Sequence, residues 1–217
     1  MQPKQKREKA VRDSKTSIIL DAARDVFVRC GYHATRLEDI AEAAGFTKTA
    51  LYYYFEDKEE IFLSLCFREL DQFTVKILEI RKLPLDFATM FSEMARVTFT
   101  IFGKHFSFLL MIFNFKMPEI NPGGFLKYKR EINQFKDKQL FFERHISDLI
   151  AELKTRGEIK CDIETDFIAN YLGSLIRGIL FKWFCDGKLG NPELEIQNLL
   201  KFVTPALGLK NPDPKNQ

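Results

Sequence analysis

Apolar residues recur along this chain with the period of an α-helix. Between Ser14 and Cys30, Ile18, Ala22, Val26 and Cys30 fall on one stripe, with Ile19, Ala23 and Phe27 beside it. This predicts a first helix, ended by Gly31 where a left-handed cap would sit. Thr35 then reads as an N-cap, with Glu38 three residues on completing a capping box. The short helix so opened has Leu37, Ile40, Ala41 and Ala44 on its apolar face and stops at Gly45. Thr47 caps a third segment from Lys48 to Phe55. Asp57 and Glu60 open a long fourth helix to Arg81, apolar at Ile61, Leu65, Leu70, Phe73 and Ile77. Further helices are predicted over 86–102, 104–116, 124–156, 162–186 and 192–207, the last capped by Asn191 with Pro192 at its first position. No sustained two-residue alternation and no Asn-Gly or Asp-Gly hairpin turn between apolar runs argues for strands. The expected fold is all-α, with about nine helices and disorder only at the two ends.

Residues 35–55 hold two short helices joined by a tight turn at Gly45-Phe46, which is helix-turn-helix spacing. The second helix of such a motif lies in the DNA major groove, its amino-terminal residues facing base edges. Lys48 suits a guanine edge or a phosphate, while Thr49 and the small Ala50 allow close approach to a thymine methyl. Tyr52 and Tyr53 offer hydroxyls to phosphates. Thr35, Arg36, Thr47 and Lys58 stand at helix starts, where phosphate contacts concentrate. The DNA-binding set read from the sequence is therefore Thr35, Arg36, Thr47, Lys48, Thr49, Tyr52, Tyr53 and Lys58.

The segments Ile19 to Phe27, Gly31-Tyr32-His33-Ala34-Thr35, Asp39 to Gly45, Thr47 to Phe55 and Lys58-Glu59-Glu60-Ile61, in that order and spacing, resemble the amino-terminal domain of the TetR family of bacterial transcriptional regulators. The resemblance implies a three-helix DNA-binding domain over 1–58, with its basic arm, and a larger helical effector-binding and dimerisation domain over 59–217. It implies a homodimer on a near-palindromic double-stranded operator and a small-molecule pocket in the second domain. Ligand binding would move the fourth helix, change the spacing of the recognition helices and release DNA. Repression is the role the family implies. The last two long helices, about 162–186 and 192–207, would pair with their copies in a four-helix bundle.

Charge and composition refine this picture. The net charge of +3 says little, but residues 1–15 carry six cations against Glu8 and Asp13. Such an arm suits a polyanion, and equally a solvated, frayed terminus. Of the 22 Phe, all but Phe27, Phe46 and Phe55 lie after residue 60. Residues 167–184 are apolar over most of a helix circumference, at Phe167, Leu172, Leu175, Ile176, Ile179, Leu180, Trp183 and Phe184 among others. That calls for burial on two sides, one of them plausibly a second subunit. A stripe at Phe99, Phe102, Phe106, Leu109 and Phe113, with Phe91 and Phe142 nearby in sequence, is material for a pocket taking an apolar or amphipathic effector, although a Phe stripe at helical spacing is more often plain core. Asn114, Tyr128, Tyr171 and Arg177 are polar groups in apolar surroundings and need partners there. For Arg177 the partner is a carboxylate of its own chain, a carboxylate across a dimer, or an anionic ligand head group. The alternative function is an architectural DNA-binding dimer with no effector.

Enzyme chemistry finds no support. His33, His105 and His145 lie far apart, and no Gly-rich phosphate loop or nucleophile elbow is present. No cofactor or metal is expected. Four Cys without metal or redox spacing, and no leader, predict reduced thiols in the cytoplasm. The most apolar stretches are interrupted by Lys104, His105, Asn170, Arg177 and Lys182, so no membrane span is expected.

Overall fold

Among the described residues, the helical periodicity is realised in eight α-helices and a short 3-10 turn at Leu126–Tyr128. They are α1 (Pro3–Cys30), α2 (Leu37–Ala43), α3 (Lys48–Tyr52), α4 (Lys58–Arg81), α5 (Phe87–Phe102), α6 (Lys129–Thr155), α7 (Thr165–Cys185) and α8 (Pro192–Ala206). The computed structural model describes residues 3–103 and 126–209, the side chains of Pro3, Gln139 and Phe142 excepted. Among these residues there is no strand. The expected helix over 104–116 lies outside them.

One expectation fails at the amino terminus. The basic arm was expected to be disordered up to Ser14, yet α1 begins at Pro3. The reason is local: Lys4 to Arg12 is almost wholly straight-chain residues and Ala, which lose little freedom in a helix. Lys4 with Glu8, Glu8 with Arg12, and Lys9 with Asp13 stand four apart with opposite charges.

The chain folds as two units. The first takes in the described residues up to Leu70 and those of 126–134; the second takes in Asp71 to 103 and 135–209. This does not coincide with the expected division after residue 58. No helix-breaking residue interrupts α4 before Lys82-Leu83-Pro84, so the helix runs on past the end of the first unit.

In the first unit, Ile19, Ala23, Val26, Phe27, Ile40, Leu51, Ile61, Phe62 and Leu65 form a closed core. Phe62 meets the ring of Phe27 edge-on at 5.5 Å and that of Tyr32 at 5.1 Å. Ion pairs tie α1 to α4: Arg68 to Asp21 at 2.9 Å, and Arg24 to the buried Glu69 at 3.6 Å.

In the second unit, α5 packs against α7 and α8. Phe87, Phe91, Ala95, Phe99 and Phe102 of α5 are buried, as are Ile168, Leu172, Ile176, Leu180 and Trp183 along one stripe of α7. Arg96 makes a two-pronged pair with Glu193, at 2.7 and 2.8 Å, which joins α5 to α8. Asn191 caps α8 as expected, accepting from the backbone N–H of Glu193 and Leu194 at 3.1 and 3.3 Å. No helix among the described residues is long and apolar enough to cross a membrane.

Trp183 sits in a tight slot. Its ring lies 5.1 Å from that of Phe99, and a Cβ at Gly190 would fall 2.0 Å from its Nε1. Gly190 is therefore required by close approach. Gly190→Ala should push the indole off its packing and cost about 1–3 kcal/mol, the usual penalty of overpacking. Urea unfolding of the full chain checks this; an unchanged midpoint would mean that the loop before α8 moves freely off the indole.

Candidate nucleic-acid interface

The helix-turn-helix forms as the spacing predicts, with its first cap moved by one residue. Arg36, not Thr35, is the N-cap of α2. Its backbone N–H donates to Asp39 Oδ2 at 2.8 Å, so the capping role expected of Glu38 falls to Asp39. Thr35 is buried, and its hydroxyl donates to the Gly31 carbonyl at 2.7 Å. It presents nothing to a phosphate. Gly45 turns the chain at φ +73°, where a side chain would be strained, and the N–H of Phe46 donates to the Ala41 carbonyl at 2.8 Å. Thr47 Oγ1 accepts from the Ala50 N–H at 3.1 Å and caps α3.

Recognition helix α3 is shorter than expected, ending at Tyr52 with Tyr53 as its C-cap. Arg36, Thr47, Lys48, Thr49, Tyr52 and Tyr53 are all exposed, while Leu51 between them is buried. Tyr53 is 70% exposed, its ring 5.2 Å from that of Tyr54 and 5.5 Å from the Arg12 guanidinium. The basic extension of α1 thus reaches the end of the recognition helix.

Two of these features were missed at the level of sequence. One is the Arg12–Tyr53 contact, which depends on the unforeseen start of α1. The other is Glu38: its Oε1 accepts from Lys48 Nζ at 2.5 Å, bridging the starts of α2 and α3. The Lys48 bond holds the Glu38 carboxyl below its usual range, and the same bond raises the Lys48 ammonium. No periodicity rule links positions ten apart on two helices.

Lys58 departs from its predicted role. Its Nζ donates to the Tyr32 carbonyl at 2.8 Å and the Thr35 carbonyl at 2.9 Å, with the Tyr32 ring 4.4 Å below it. Burial lowers its ammonium pKa. The ammonium clamps the turn between α1 and α2.

The predicted ligand residues that are described fall into three groups. Phe91 and Phe102 are buried in the second unit, Phe102 with its ring 4.9 Å from that of Phe73. Tyr128 belongs to the first unit, where its hydroxyl donates to Asp57 Oδ1 at 2.9 Å; Lys127 Nζ lies 2.6 Å from Asp57 Oδ2. Burial raises the Tyr128 hydroxyl well above its usual pKa. Tyr171 and Arg177 are exposed on α7, and Arg177 donates to Ser174 Oγ at 2.8 Å. Helical geometry explains this: both stand off the stripe through Ile168, Leu172, Ile176 and Leu180. Phe106, Phe113 and Asn114 lie outside the described residues, as does the side chain of Phe142.

Tyr171 instead lines an open apolar groove of about 660 Å³ with Ile163, Leu175, Gly178, Ile179 and Phe202. Phe167, Phe181 and Phe184 of α7, and Leu194 and Phe202 of α8, are also exposed. Among the described residues no three His, Cys, Asp or Glu side chains gather as metal ligands would.

A buried-backed α3 that presents Lys48, Thr49 and Tyr52 to solvent, set after a glycine turn, is the arrangement of a helix-turn-helix. Residues 19–65 match the family described as bacterial regulatory proteins, tetR family. The HTH-type transcriptional regulator RutR of Escherichia coli (strain K12) is 42% identical over 85 residues, 39% of this chain and 38% of RutR. The fatty acid metabolism regulator protein of Bacillus subtilis (strain 168) is 36% identical over 106 residues, 49% of this chain and 48% of that protein. The chain thus spans less than half the length of these curated relatives. The fold is matched more widely. The Bacillus subtilis FadR, solved in complex with stearoyl-CoA, superposes with a TM-score of 0.69 at 21% identity, covering 86% of this chain and 96% of that one. AibR, solved with isovaleryl coenzyme A and operator DNA, gives 0.68 at 15% identity, covering 87% and 97%.

The Lys58 clamp separates structure from DNA contact. Lys58→Met leaves the carbonyls of Tyr32 and Thr35 without their donor, which should cost about 1–3 kcal/mol in urea unfolding. The salt slope of DNA binding should stay unchanged. A slope smaller by about one with stability intact would return Lys58 to the phosphate role.

Proposed function

We propose that the chain is a homodimeric, ligand-responsive transcriptional regulator: a cytoplasmic repressor that leaves a palindromic operator when a hydrophobic small molecule binds. The observation that carries this reading is the exposed face of Arg36, Lys48, Thr49, Tyr52 and Tyr53, backed by a buried Leu51. A surface of this shape fits the major groove once per protomer, and two copies related by a two-fold axis read a palindrome.

The second copy has a place to dock. A contiguous apolar face on a lone chain marks an association surface. The face of α7 and α8 carries Phe167, Tyr171, Phe181, Phe184, Leu194 and Phe202 opposite a stripe that is already buried. A self-complementary interface would bury it twice over. The Phe-rich second unit and the acyl-CoA ligands of FadR and AibR support an acyl thioester as the effector class. In this reading, α4, continuous out of the DNA-binding unit, carries the effector's influence to the recognition helices.

The experiment selects genomic fragments bound by the full-length protein, then titrates stearoyl-CoA, isovaleryl-CoA and coenzyme A against the complex in fluorescence anisotropy. Release by an acylated form and not by coenzyme A supports the proposal. Insensitivity to both, with DNA binding intact, favours an effector-independent architectural dimer. Phe202→Glu places a charge in the dimer face and should shift the mass in sedimentation from two copies to one. Operator binding should weaken on the order of 100-fold, the usual loss when two linked contacts become one.

A further inference from the structure

Lys48 is the first residue of the recognition helix, the position nearest to base edges in a helix-turn-helix. A lone lysine there would be drawn to any phosphate. This one is held by Glu38 at 2.5 Å, and both side chains are about half exposed. Breaking that pair to engage a phosphate would leave a bare carboxylate beside a polyanion. Keeping it intact places an acid at a surface meant for DNA, which opposes binding to every sequence alike unless the acid also accepts a bond. Both members have capacity left. The ammonium has three donors and gives one to Glu38; the carboxylate has about four acceptor sites and uses one for Lys48.

We propose that Glu38 and Lys48 act as one unit that reads a single G·C base pair, Lys48 donating to the guanine and Glu38 accepting from the amino group of its paired cytosine. The inference rests on the reading of this surface as a major-groove interface. Guanine offers O6 and N7 side by side, which suits an ammonium with two donors free, and cytosine N4 offers the donor a carboxylate requires. Glu38 is then a specificity-determining residue, set ten positions from its partner on a different helix.

In vitro selection from a random duplex pool, run with the full-length wild type, Glu38→Gln and Glu38→Ala, tests this. Binding to the selected sites is then measured against salt. The wild type should enrich a fixed G·C pair in each half-site. Both variants should keep the rest of the site but lose roughly tenfold or more of the discrimination at that pair, a bidentate contact's worth, with a nearly unchanged salt slope. Variants that bind all sequences tighter by one common factor, with a steeper salt slope, would overturn the proposal and make Glu38 a mere screen for Lys48. A relaxed position that proves to be A·T would overturn the named base pair. A wild-type site that neither variant alters would overturn the couple alone. A wild type that enriches no sequence would overturn the DNA-binding reading itself, and this inference with it.

Discussion

The placement of the recognition helix depends on how Tyr32 is held. Ring contacts and hydrogen bonds converge on this one residue in the turn after α1. Its ring stacks on Phe27 at 5.7 Å and meets Phe62 edge-on at 5.1 Å. Its hydroxyl donates to Glu59 at 2.7 Å, and its carbonyl takes the Lys58 ammonium at 2.8 Å. The first two belong to the core, the last two to the start of α4. The chain between α1 and α2 is thus fixed at both ends, and α2, which packs on α1, inherits that position. α3 follows through a glycine turn with no slack. A ring buried in a core with a polar tip reaching a carboxylate is the geometry for which tyrosine is suited, since phenylalanine would lack the hydroxyl that donates to Glu59.

The second unit poses the opposite problem, a helix with apolar residues both on its buried stripe and on its exposed side. In α7 the stripe through Ile168, Leu172, Ile176, Leu180 and Trp183 is buried, and α5 packs against the helix; Phe167, Tyr171, Phe181 and Phe184 remain in solvent. Scattered apolar residues are normal on surfaces, but four aromatics on one helix, continued by Phe202 on the next, are not. Arg177 belongs to this face and folds back on Ser174, with Nη1 only 3.1 Å from where a Cβ of Gly173 would be. Gly173 therefore leaves room for the guanidinium to lie flat against its helix.

Among the described residues, helix existence and order were legible from periodicity, because the long helices there bury an apolar stripe. Caps were legible where the side chain acts alone, as at Thr47 and Asn191. They were not at α2, where Thr35 and Arg36 are neighbours and only three-dimensional packing decides which is buried. The start of α1 was misread for a related reason: a run of exposed charges looks like a solvated tail, yet helix propensity and charges spaced by four favour a helix with no core to bury. The ligand set was least legible. Apolar period identifies which residues face a core, but not whether that core is filled, and polar residues on an apolar helix were taken as buried when Tyr171 and Arg177 stand on its outer face. The domain division misplaced Tyr128, since nothing in its local sequence says that its hydroxyl reaches Asp57.

The distribution of charge suits the separation that the proposed specific DNA binding requires. Attraction to phosphates is blind to sequence, and base contacts discriminate without adding much long-range pull. Here the two are housed apart. The cations of residues 4–15 lie on the exposed start of α1, which touches the recognition region at Arg12 and Tyr53. At the surface proposed to face bases, Arg36 and Lys48 are matched by Asp39 and Glu38, with the two acids bonded to the Arg36 backbone and the Lys48 ammonium. A surface so balanced gains little from an arbitrary duplex, and must draw its preference from donors and acceptors that fit one edge. The hold on Tyr32 fits the proposed role, because a group that reads a base edge works only if its position is set to within a fraction of an ångström.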